Sequence, residues 1–207
     1  MSTYFTPQIQ KRFIKLMLIL TVIMFTVWTG VTWYTNAVPG DFAVREGDIQ
    51  LSDGNYDRAI ERFDEALVDA PNHRGALLGK AAALMGLERY DEAHAVLTHA
   101  IEYLLDTLTD DDPTGVGALS AAYTNRGIIE DRQGRYEDAL ADYIEAIKID
   151  YDIGEGPSWL EHLLYYDKKP SSALKRAEYI YKQLQLPESE RVMRVPEQDA
   201  LQRMYKP

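Results

Sequence analysis

The 207-residue chain contains no cysteine. That excludes disulfides, thiolate nucleophiles, cysteine-ligated zinc and a lipoprotein anchor, and it leaves the compartment open. Catalytic signatures are missing as well: there is no H-E-x-x-H, no G-x-S-x-G elbow and no phosphate-cradling glycine loop. The four histidines are His73, His94, His99 and His162. His94 and His99 lie five apart, outside the three-or-four spacing that shares a helix face. Glu161-His162 is an adjacent pair of the kind that decorates surfaces. Asp110-Asp111-Asp112 is a consecutive run, without the alternating ligands of a calcium loop. It reads as a solvated loop ending in a helix N-cap. No enzyme, metal, cofactor or small-molecule substrate is expected, because no nucleophile–base or ligand constellation exists to support one.

Charge is also unevenly missing. Residues 1–40 have no acid and three bases, Lys11, Arg12 and Lys15. Residues 41–155 hold 26 acids against 10 bases, within a formal net charge of −11. So acidic a middle repels phosphate backbones and argues against nucleic acid as a partner.

No charge at all occurs from Leu16 to Val38. A bilayer core needs roughly 20 apolar residues in helix. The run opens on leucine, isoleucine, valine and methionine and closes on Trp28, Trp33 and Tyr34, as an interfacial aromatic belt does. A cleavable signal peptide is the competing reading, with Thr35-Asn36-Ala37 as a cleavage site. The apolar run exceeds the ~7–15-residue core of such peptides, which favours an anchor. The preceding bases keep the N-terminus inside and send the rest outside. Thr21, Thr26, Thr29, Thr32 and Gly30 offer a small polar face for packing on another membrane helix.

What the chain does have is a repeat. Tyr56-Asp57-Arg58-Ala59, Tyr90-Asp91-Glu92-Ala93 and Tyr136-Glu137-Asp138-Ala139 each open a helix. The first two alanines are 34 residues apart, the third follows 46 later, and a degraded fourth copy at Ala173 follows after another 34. Such a period marks stacked helix hairpins that bind proteins rather than do chemistry. In the first copy Asp53-Gly54-Asn55 is the turn, and Ala59, Phe63, Ala66 and Leu67 share one face. In the second, the helix runs on through Ile101, Tyr103, Leu104 and Leu105 into an acidic loop at 109–115, which takes up the extra twelve residues. In the last part, Trp159, Leu160, Leu163, Leu164 and Tyr165 form one apolar helix. Ala173, Ala177, Ile180, Tyr181 and Leu184 form another that closes the array.

The pattern resembles the tetratricopeptide repeat family. Gly47, Ala59, Phe63, Ala66 and Pro71 match it in the first copy. Ala81, Ala93, Leu97 and Ala100 match in the second, and Gly127, Ala139, Tyr143 and Ala146 in the third. The resemblance implies an α-solenoid of three to four tetratricopeptide hairpins; with the apolar run before it, the expected fold is all-α, an N-terminal single transmembrane helix followed by that solenoid. The resemblance also implies a groove along the first helix of each repeat, here Val44, Asp48 and Leu51, then Leu78, Ala82 and Met85, then Thr124, Ile128 and Asp131. Chaperone-binding members carry lysine, arginine and asparagine in the groove to clamp a terminal carboxylate. Val44, Asp48, Ala82, Thr124 and Ile128 stand at those places, so an amphipathic or basic segment suits this groove better.

The expected organisation is a cytoplasmic N-terminus at 1–15, an anchor helix at 16–38, and a repeat domain at 39–186. Its repeats lie near 41–72, 74–108, 120–152 and 154–186. A tail at 187–207 carries a short amphipathic helix with Leu201, Met204 and Tyr205 on one face. The expected role is a protein–protein interaction scaffold, an accessory or assembly subunit of a membrane protein complex. The expected location is the bacterial inner membrane, single-pass, with the repeats in the periplasm. A transient periplasmic holdase for secreted or respiratory proteins is the alternative.

Overall fold

The computed structural model describes residues 7–35, 38–109, 111–150, 173–199 and 202. It is all-helical over these residues and divides into two units, Met1–Pro39 and Gly40–Pro207.

The first unit is helix α1, Pro7–Thr35, 29 residues. At 1.5 Å per residue it is about 44 Å long. It begins nine residues ahead of Leu16, so Lys11, Arg12 and Lys15 sit on its first turns. It is long and apolar enough to cross a membrane. Its threonines donate to their own backbone one turn earlier: Thr21 to Met17 O at 2.9 Å, Thr26 to Val22 O at 3.0 Å and Thr29 to Phe25 O at 2.8 Å. These hydroxyl protons are therefore used within the helix.

The second unit is built of helix hairpins. They are α2 (Asp41–Ser52) with α3 (Tyr56–Asp69), α4 (Arg74–Gly86) with α5 (Tyr90–Thr107), and α6 (Pro113–Arg132) with α7 (Tyr136–Ile149). Each hairpin packs on the next, and the first helices α2, α4 and α6 lie side by side. The three tight turns close identically. Asn55 N–H donates to Gln50 O, Arg89 to Leu84 O, and Arg135 to Glu130 O, at 2.8 to 2.9 Å. This bond across the helix end requires a left-handed residue. Gly54 (φ 75°) and Gly134 (φ 81°) supply it, whereas the middle repeat uses Glu88 at φ 59°.

The small residues of the repeat act as spacers. Ala59, Ala93 and Ala139 are fully buried. Phe63, also fully buried, lies between two glycines. A Cβ on Gly47 would come within 2.6 Å of its ring, and one on Gly79 would overlap it outright. One core cluster surrounds Phe63 with Val44, Ala59, Ala66, Ala76 and Ala83. A larger one runs from Leu78 through Leu97, Leu104, Leu119, Ile129 and Tyr143 to Ile180.

The extra twelve residues between repeats two and three extend helices instead of making a long loop. Helix α5 has 18 residues and α6 has 20, against 14 in α3 and 13 in α4. Pro113, Thr114 and Gly115, expected in the loop, are the first turn of α6. Asp112 is its N-cap, accepting from Gly115 N–H at 2.8 Å, and proline occupies N1 as its fixed φ favours. Asp112 also pairs with Arg74 at 2.6 Å, tying the α5–α6 junction to the start of α4.

Helix α8 (Ala173–Leu184) packs on α7. Ala173, Ala177 and Ile180 face the core, but Tyr181, expected beside them, is 56% exposed. Adjacent helical residues point about 100° apart, so Ile180 and Tyr181 do not share one contact. The chain then folds back. Tyr179 Oη–H donates to Val192 O at 2.6 Å, Val192 N–H to Gln183 Oε1 at 2.8 Å, and Arg194 to Arg132 O at 2.6 Å. A last short helix, α9, spans Pro196–Asp199. The helix expected at Trp159 to Tyr165, His162, and the tail residues Leu201, Met204 and Tyr205 lie outside the described residues.

Candidate functional site

Three features stand out around α4, α5, α6 and α7. The first is an apolar cleft of about 410 Å³ between the N-terminal turns of α4 and α6, lined by Arg74, Gly75, Leu78, Pro113, Thr114, Gly117 and Ala118. It exists because α6 starts early. Its added turns at Pro113–Ala118 stand beside the start of α4 and wall one side of the cleft. Arg74 is held at the rim by Asp112, and its guanidinium closes against Gly115, where a Cβ would meet Arg74, Leu108 and Asp112 within 3 Å. The Asp112 carboxyl is held below the ordinary aspartate range by the Gly115 amide first and Arg74 second.

The expected groove residues are distributed unevenly about this cleft. Leu78 lines it. Val44, Ala82, Met85, Thr124 and Ile128 are buried between helices, while Asp48 and Leu51 are half-buried. Close packing of the first helices over alanine and glycine brings these positions inside.

The ninth position, Asp131, is the second feature. It is 3% exposed and accepts a fork from Arg176, Nε and Nη2 both at 2.7 Å. Gln202 Nε2 adds a bond at 2.6 Å and the Tyr143 hydroxyl one at 3.5 Å. Arg176 Nη2 also donates to Met193 O at 3.0 Å. Burial, then the Asp131 charge, pushes the Tyr143 phenol well above its usual range. The C-terminal segment thus engages the acidic residue at the far end of α6.

The third feature lies among α5, α6 and α7. His94 Nε2 is 3.1 Å from Glu130 Oε1, while His99 pairs separately with Asn72 at 2.9 Å. The two histidines indeed serve different faces. Arg126 forks onto Asp142 at 2.7 and 2.8 Å and reaches Thr98 Oγ1 at 3.1 Å. Burial, reinforced by Asp142, raises the Glu130 carboxyl above the usual range, while His94 and Arg126 pull the other way. Sequence reading missed Glu130 because its partner lies 36 residues away on another repeat.

These tandem hairpins agree with family models over two stretches. Residues 50–114 match one tetratricopeptide repeat model and residues 120–150 match a second. The repeats are tetratricopeptide repeats. Among solved structures, the first tetratricopeptide domain of Spaghetti (RPAP3), bound to the HSP90 peptide SRMEEVD, aligns with TM-score 0.51 and 16% identity. That match covers 70% of this chain and 93% of that one. The Arabidopsis OM64 tetratricopeptide domain gives 0.48 at 19% identity, over 70% and 95% of the two chains. The first such domain of human RPAP3 gives 0.47 at 18%, over 68% and 95%. No curated protein matches the chain. Tetratricopeptide repeats are typically protein-interaction scaffolds rather than catalytic units.

Proposed function

We propose that this protein is a membrane-anchored interaction scaffold, an accessory or assembly subunit of a membrane protein complex. Helix α1 crosses the bacterial inner membrane with its basic end in the cytoplasm, and the repeats work in the periplasm. The observation that carries the reading is one chain holding both a helix long and apolar enough to span a bilayer and a repeat array with an open apolar cleft. A tether of this kind raises the effective concentration of the array near membrane partners.

The ligand proposed for the α4–α6 cleft is an amphipathic segment laid along α4 and α6. The HSP90 peptide on the Spaghetti domain ends in glutamates, valine and aspartate. A terminal carboxylate clamp has little support here, since Arg74 at the rim is already paired with Asp112. The tail residues Leu201, Met204 and Tyr205 are proposed as a second contact.

Affinity purification of the full chain at native abundance in mild detergent tests the reading. A stoichiometric membrane partner is the expected result. Recovery of the protein alone removes the subunit role, and a heterogeneous, substoichiometric set of clients makes it a holdase instead. A cytoplasm-only reporter fused after Pro207 that proves active reverses the topology.

A further inference from the structure

Beside the shared face of α2, α4 and α6, the array has a second opening. It is a cleft of about 390 Å³ lined by Asp91, His94, Glu130, Arg135 and Asp138. These residues come from the start of α5, the end of α6 and the start of α7. At its wall stands Glu130, whose side chain is 8% exposed. Its Oε1 meets His94, but its Oε2 is buried with no hydrogen-bond partner. A buried carboxylate oxygen without a donor is costly and calls for one.

Two nearby cations, Arg126 and Arg132, are engaged elsewhere, and a third, Arg135, is only loosely paired. Arg126 is forked on Asp142 with a further bond to Thr98. Arg132 lies over the Tyr90 ring, 5.9 Å from its centre. Arg135 reaches Asp138 only at 3.9 Å. Asp91 takes one bond, from the Gln133 amide at 2.9 Å. The cleft therefore presents three carboxylates against one arginine and one histidine, with the most buried carboxylate short of a donor. Among the described residues, no group of three or more potential ligands is placed to hold a metal ion. An entering guanidinium or ammonium pairs with the carboxylates that line the cleft and balances their charge.

We propose that this cleft receives an arginine or lysine side chain from a basic segment of a partner protein, as a recognition site separate from the α4–α6 cleft. The proposal rests on the interaction reading above but on neither the membrane role nor the apolar cleft.

The test uses the full chain in detergent micelles at low salt. The probe is a fluorescein-labelled, acetylated and amidated peptide of alternating arginine and glycine, and the readout is fluorescence anisotropy. Glu130→Gln is expected to weaken binding about tenfold, the scale of one lost charge-assisted contact. Asp106→Asn, at an exposed position on α5, changes net charge equally and is expected to shift binding less than twofold. Asp91→Asn and Asp138→Asn at the rim, each verified as folded by circular dichroism, keep the test valid if the Glu130 variant fails to fold. The proposal is overturned if none of the three cleft variants weakens binding more than Asp106→Asn. It is also overturned if zinc ion alone binds the same residues and displaces the peptide, which makes the cleft a metal site. Peptide binding without any co-purifying membrane partner leaves this site standing while the subunit reading falls. A partner whose capture ignores Glu130→Gln does the reverse.

Discussion

Replacing Arg176 by methionine should be among the most damaging single changes in the chain. Arg176 and Asp131 are 2% and 3% exposed and share two bonds of 2.7 Å. Methionine fills much of the space but leaves Asp131 buried with only neutral donors, Gln202 and Tyr143. Removing one partner of such a pair costs about 3–5 kcal/mol, because the remaining charge has been taken out of water and left uncompensated. For a chain of this size each kcal/mol lowers Tm by roughly 2–4 °C, so the loss is of order 10 °C. Removing both charges is a different perturbation. Asp131→Leu combined with Arg176→Met leaves no buried ion, and well-packed apolar replacements of buried pairs are often neutral or better. The double variant should therefore recover most of what the single one loses. Urea and thermal unfolding of the full chain in micelles, followed by circular dichroism, measure this cycle. Hydrogen exchange should place the loosening of the single variant in α8 and in residues 191–195. A single-variant cost under about 1 kcal/mol, or a double variant as damaged as the sum of the singles, refutes the view that this pair pins the C-terminal segment.

Other consequences are more local. Gly79→Ala should cost about 1–3 kcal/mol despite the better helix propensity of alanine, because its methyl runs into the fully buried Phe63 ring; unfolding midpoints check it. Glu88→Gly should gain about 0.5–1 kcal/mol, since it relieves a left-handed backbone (φ 59°) that costs an L-residue about 1–2 kcal/mol, less the flexibility glycine adds to the unfolded chain. The carboxyl of Asp112 binds fewer protons in the folded chain than in the unfolded one. Its contribution is thus complete above the ordinary aspartate range and disappears as pH falls through its depressed value. The Gly115 amide resonance should titrate below that range, and a midpoint at or above it contradicts the cap geometry. Valine at Thr21, Thr26 and Thr29 should leave membrane insertion unchanged, because each hydroxyl bonds only its own helix in the present geometry; loss of insertion or of a co-purifying helix reveals a partner face.

The repeat was legible in the sequence because its determinants are local. Alanines 34 residues apart, a turn glycine and an aromatic at helical spacing each report on one hairpin, and Ala59, Phe63 and Ala93 are buried as that spacing requires. The insertion is only half legible. A run of aspartates and a proline suggests a loop, yet the same residues are an N-cap and an N1 proline, so the added chain became helix. The sites were poorly legible for the opposite reason. Glu130 with His94 spans 36 residues, Asp131 with Arg176 spans 45, and Asp131 with Gln202 spans 71. No periodicity within one helix encodes such pairings. Face assignment along one helix cannot tell a surface from a seam once alanine and glycine let helices close together, as at Ala82 and Ile128.

Where the polar contacts fall also constrains how a partner engages the array. The C-terminal segment uses the far end of α6: Asp131 is forked, and the Arg132 carbonyl is taken by Arg194. A ligand seeking that end competes with bonds made within one chain, which carry no association entropy. The near end of α6 bears no such occupant among the described residues, and its extra turns create the cleft with α4. The helix extension and the folded-back segment thus act on opposite ends of the same helix, one opening a surface and the other closing it. A partner bound near Leu78 and Gly117 leaves the Arg176 pair intact. Arg176→Met should then loosen the array without abolishing capture, whereas Gly117→Leu, whose side chain intrudes on the cleft, should weaken capture without loosening the array. Both variants acting alike on capture would mean that the two ends form one coupled surface.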